Sequence, residues 1–137
     1  MKTTNECIDF ITSITADIEH SGISLASHLL GVYSFLRLAK APEHVCLAGL
    51  FHSIYGTEFY DADIKIDRTF VKDYIGKEAE ELVFLFCHLR DRDISILKSE
   101  NKDLMFINYA NLLEIHRQCK SDELASMIRL YETNLQR

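Results

Sequence analysis

The sequence predicts an all-α fold, a single compact bundle of six or seven helices over residues 1–137. Three observations carry that reading. One proline and five glycines in 137 residues leave few breaks for strands and tight turns. Apolar residues recur at spacings of three and four along most of the chain. A 47% hydrophobic and 26% charged composition supports one buried core at a length expected of one domain.

The elements follow in order. Thr3 and Glu6 have capping-box spacing, and Ile8, Ile11, Ile14 and Ile18 form a stripe, which predicts a first helix from about Thr4 to Glu19. His20, Ser21 and Gly22 break the period. Ser24 then caps a second helix with Leu25, Leu29, Val32 and Leu36 on its apolar side, and His28 falls on that same stripe. Gly31 inside this helix costs up to about 1 kcal/mol against alanine, which predicts a compensating close approach by another backbone. Pro42 is placed as the first residue of a third helix, PEHVCLAGLFHSI, with Val45, Ala48, Gly49 and His52 on one side. His28 and His52 are therefore expected to meet inside the bundle.

The stretch from Tyr55 to Ile66 has no helical period and reads as a long loop. Asp67 or Thr69 caps a short helix through Tyr74, stopped by Gly76, and a further helix covers about Glu78 to Leu89. Arg90 to Ser95 reads as a charged turn. A long helix from about Lys102 to Cys119 presents Leu104, Ile107, Asn111 and Ile115 on one face, and Ser121 or Asp122 caps a last helix carrying Leu124, Ile128 and Tyr131.

A formal net charge of −6 argues against a nucleic-acid partner, because phosphate backbones are repelled at long range unless a basic patch intervenes. No run approaches the roughly 20 apolar residues that span a bilayer, and the N-terminal stretch lacks a signal-peptide apolar core, so a cytoplasmic protein is expected. Cys7, Cys46, Cys87 and Cys119 are widely spaced and read as buried reduced thiols. Phosphate-cradling glycine loops, HExxH and GxSxG are absent from the sequence.

The span HLLGVYSFLRLAKAPEHVCLAGLFHSIYG, from His28 to Gly56, resembles the core of the HD-domain superfamily of metal-dependent phosphohydrolases. In that family a helical histidine precedes, by a couple of dozen residues, an apolar helix ending in His-Asp. The matching positions are His28 and the AGLFHS segment ending in His52 and Ser53. INYANLLE resembles the segment that supplies a closing aspartate, with Asn111 at the matching place. LFHSIYGT further resembles a small uncharacterised HD-like subgroup with serine in place of the aspartate. Two carboxylates of the family pattern are thus replaced by Ser53 and Asn111, which disfavours magnesium or manganese and leaves imidazoles suited to zinc or iron. His20, His28 and His52 with water would make an open three-histidine metal site, against which stands a metal-free pocket or a pair of satisfied core histidines.

The resemblance and the residues together imply an enzyme on a small polar or phosphorylated substrate, hydrolytic or otherwise dependent on water, oxygen or a metal. His28, His52, Ser53, Asn111 and Glu114 are the candidate catalytic residues. Tyr55 and Thr57 follow the His52 helix and are placed to line the pocket mouth, while Arg90 and Arg92 are candidates to clamp a phosphate or carboxylate, with Asp91 and Asp93 as the alternative partners. The rival reading is a non-catalytic module that binds a partner or forms a homodimer through the old cleft or its last helix. Phe51, Phe59 or Tyr109 plugging the cleft would favour the rival.

Overall fold

The computed structural model describes residues 1–15, 18–20, 23–56 and 65–136, with only the backbone at 19, 20 and 23. Eight helices form among these residues: α1 (Thr4–Thr15), α2 (Leu25–Leu38), α3 (Glu43–Phe51), α4 (Arg68–Ile75), α5 (Lys77–His88), α6 (Arg92–Ser99), α7 (Lys102–Gln118) and α8 (Asp122–Leu135). A two-residue antiparallel pair, β1 (Glu19–His20) with β2 (Ile23–Ser24), joins α1 to α2 in the register Glu19 to Ser24 and His20 to Ile23. The all-α class stands, with one helix more than the expected upper count.

The helix starts are those that short polar side chains dictate. Thr3 and Glu6 close a reciprocal capping box, the Glu6 amide donating to Thr3 Oγ1 and the Thr3 amide to Glu6 Oε1, each at 3.2 Å. Ser24, Asp67, Asn101 and Ser121 each accept a backbone amide at the head of α2, α4, α7 and α8. Pro42 stands one residue outside α3, as its N-cap, and His52 is its C-cap, so that helix is shorter at both ends than its apolar run implies.

The stretch expected to be a charged turn contains α6. Asp91 and Glu100 flank it in the left-handed conformation, φ 47° and 59°. Neither is glycine, so the usual mark of such positions is missing. Ile96 is the fully buried apolar residue of α6, and Arg92 is buried as well, too few anchors for the periodicity to show.

Helices α2, α3, α5 and α7 make up the centre, with α8 laid along α7 and α4 along α5. One continuous apolar cluster runs through them, including Leu29, Val32 and Leu36 of α2, Leu50 and Phe51 of α3, Phe86 of α5 and Ile107 of α7. At Gly49 a Cβ would collide with Leu36 Cδ1 and come within 3.2 Å of Val32 Cγ1, so α2 and α3 pack as closely as glycine allows. At Gly31 the close neighbour is a side chain, not another backbone. A Cβ there would lie 2.5 Å from Glu114 Cδ.

Candidate functional site

The second and third helices deliver His28 and His52 to one place. Their rings meet edge to face with centroids 5.3 Å apart, and each residue is 1% exposed. His28 sits on the buried side of α2, and α7 brings Asn111 against it, so that His28 Nε2 lies 2.9 Å from Asn111 Oδ1. His52 Nδ1 donates to the Gly49 carbonyl one turn back at 2.7 Å, which makes Nε2 the basic nitrogen of that ring. Phe86 of α5 packs edge-on against His52 at 5.1 Å, and the Cys87 thiol donates to the His52 carbonyl at 3.0 Å. Burial pushes that thiol up to about 12, so it acts as a neutral donor. Ser53 is buried beside the pair in sequence and Asn111 is 2% exposed.

Asn111 has partners that the sequence reading did not foresee. Its Nδ2 donates to Asn108 Oδ1 at 3.2 Å, and Asn108 Nδ2 donates to Asp93 Oδ1 and to the Tyr131 hydroxyl, each at 2.8 Å. The Tyr131 hydroxyl in turn donates a hydrogen bond to the Asp93 main-chain carbonyl at 2.7 Å. Asn108 and Tyr131 are fully buried. The one clue in the sequence was the i, i+3 pair Asn108 and Asn111, which shares a helix face.

The other candidates fall around this centre. Glu114, one turn beyond Asn111, lies against Gly31, one turn beyond His28, and accepts from Arg117 Nη1 at 3.1 Å. Tyr55 donates to Glu80 Oε2 at 2.8 Å and packs edge-on to Phe84. Glu80, fully buried, also receives Arg68 Nε and Nη2 at 2.8 Å. Arg92 is buried, not at the surface. Its guanidinium lies 4.8 Å from the Phe86 ring centroid and its Nε 3.8 Å from Asp93 Oδ1. Arg90 is exposed. Thr57 and Phe59 lie outside the described residues, as does the side chain of His20. Phe51 is fully buried and packs on Phe10, and Tyr109 packs on Phe35 and donates to Glu132. Cys7, Cys46 and Cys87 are buried free thiols, while Cys119 is exposed, against the expectation for all four.

The donor set bears on the metal that the HD pattern implies. Among the described residues no group of three His, Cys, Asp or Glu side chains could hold a metal ion. The described pair is two imidazoles, one of them bonded to an amide, and this does not fit a hard divalent metal. No helix among the described residues is long and apolar enough to cross a membrane.

Comparison with known proteins agrees with this architecture. A solved structure from work describing a metazoan ortholog of SpoT, which hydrolyses ppGpp and plays a role in starvation responses, superposes with a TM-score of 0.68 at 13% identity, over 98% of this chain and 85% of that one. At that identity the likeness concerns the fold, which is HD-like and helical. No curated protein matches the chain. Residues 10–92, from α1 to the start of α6 and including both histidines of the pair, match one family over more than half the chain, and the protein belongs to that family, Domain of unknown function (DUF6817).

Proposed function

We propose that the protein is an HD-like enzyme with a degenerate, histidine-lined site that hydrolyses a small polar or phosphorylated substrate. The observation that carries this reading is the buried convergence of His28 and His52, with His52 held by a backbone carbonyl so that Nε2 is its basic nitrogen. An imidazole so oriented can take a proton from water at Nε2 and, once protonated, return that same proton to the leaving group. Asn111 anchors His28, and Ser53 offers a hydroxyl where the family pattern has an aspartate. The fold neighbour's hydrolysis of ppGpp makes phosphorylated nucleotides the first substrates to try. The three-histidine site, with His20 joining the pair to hold zinc or iron, belongs to the same proposal and is decided by metal analysis of untagged protein.

The test is release of phosphate or pyrophosphate from a panel of phosphorylated small molecules, ppGpp among them, with and without added zinc or iron. His52→Gln and His28→Gln should each lower turnover by roughly 10²-fold or more, the range for loss of an acid–base group, with the helical circular-dichroism signal unchanged. Wild-type turnover in both variants removes the pair from the chemistry. A second reading, a non-catalytic binding module, is favoured by one observation: His28 and Asn111 satisfy each other's hydrogen bonds in the interior, as core residues do. An inert wild-type protein across the panel would favour it.

A further inference from the structure

We infer that Asp93 and Tyr131, acting through Asn108 and Asn111, are positioning residues that hold His28 in the Nε2–H form and leave Nδ1 as its basic nitrogen. The chain of bonds has a direction, and its outer end sets it. The Asp93 carboxylate can only accept, so the Asn108 atom 2.8 Å away must be the amide nitrogen. The Tyr131 proton is already committed to the Asp93 carbonyl at 2.7 Å, so its oxygen accepts from the same nitrogen. Asn108 Oδ1 then faces Asn111 and calls for Nδ2 there, and Asn111 is left with Oδ1 toward His28 Nε2, which must carry the hydrogen. Reversing any amide would set two acceptors against each other in the interior. Four helices supply the parts: Asp93 from α6, Tyr131 from α8, the two asparagines from α7 and His28 from α2. Asp93 also lines an open cavity of about 510 Å³ between the end of α7 and the start of α8, so the outer end of the relay reaches the surface.

The catalytic consequence rests on the enzyme reading above, whereas the tautomer does not, and the experiment separates them. Long-range proton–nitrogen NMR spectra of the full ¹⁵N-labelled chain report which nitrogen of each histidine carries hydrogen. The wild type should show Nε2–H at His28 and Nδ1–H at His52. Replacing both outer acceptors, Asp93→Ala with Tyr131→Phe, should convert His28 to a mixture of tautomers, while His52, held by Gly49, keeps its pattern and reports an intact fold. Asp93→Asn in the Tyr131→Phe background retains an oxygen acceptor and should restore Nε2–H. A wild-type His28 in the Nδ1–H form overturns the inference, even if the double variant does not fold, and so does an unchanged His28 in a folded double variant. On any substrate turned over, the double variant should lose roughly tenfold to hundredfold in kcat with KM little changed, the scale of losing an outer-shell partner. An inert wild type with the expected spectra would sink the hydrolase reading and leave this assignment standing.

Discussion

Glu80 shows how the cost of burying a single charged residue can be offset by its partners. Burial pushes its carboxyl up, but hydrogen bonds from Arg68 and Tyr55 and the nearby guanidinium outweigh that and hold it below the ordinary value. The folded pKa therefore lies under the unfolded one, and the contribution to stability is complete above the unfolded carboxylate pKa of about 4.3 and is lost as pH falls through the folded value. Denaturant melts taken between neutral and acid pH should show a steeper acid loss in the wild type than in Glu80→Gln. Equal slopes would remove Glu80 from the acid response. This staple was not legible in the sequence, because Arg68 and Glu80 lie twelve residues apart in different helices and nothing local links them. Asn111 was legible in part: an amide on an apolar face announces a partner, but which partner depends on α2 arriving from 83 residues away.

At the scale of the helices, the two interior glycines make opposite predictions. Gly49 faces Leu36 and Val32, both completely buried, so an added methyl has nowhere to go and Gly49→Ala should destabilise the protein by about 1–3 kcal/mol, as overpacking does. Gly31 faces the carboxylate of Glu114, the free end of a flexible side chain bonded to an exposed arginine. Gly31→Ala should push that carboxylate toward solvent, losing an ion pair of about 0.2–1 kcal/mol and recovering up to about 1 kcal/mol of helix propensity. Thermal melts of the two variants check this, and a larger loss at Gly31 than at Gly49 would contradict it. The helix boundaries were readable to within a few residues wherever a polar cap preceded an apolar stripe, as at Ser24, Asp67 and Ser121. They failed at α6, whose flanking left-handed residues are Asp91 and Glu100.

For the whole molecule, the packing sorts four similar cysteines into two kinds. Burial pushes the Cys7 thiol up to about 11 and the Cys87 thiol up to about 12, and raises Cys46, whereas Cys119 is exposed at the end of α7. Native protein treated with iodoacetamide near neutral pH should label at Cys119 at least tenfold faster than at the other three, read by peptide mass spectrometry. Comparable labelling of Cys87 would mean that the interior beside His52 opens readily. By itself the sequence determined the helical class, most helix starts and the meeting of His28 with His52, since periodicity, caps and the spacing of two consecutive helices act over a few turns of chain. Only the tertiary structure decided that Asp93, Asn108 and Tyr131 stand behind Asn111, that Arg92 is buried over Phe86 and that Tyr55 serves Glu80. Those partners come from separate helices, and a buried polar group is satisfied by whichever donor or acceptor the packing brings within about 3 Å.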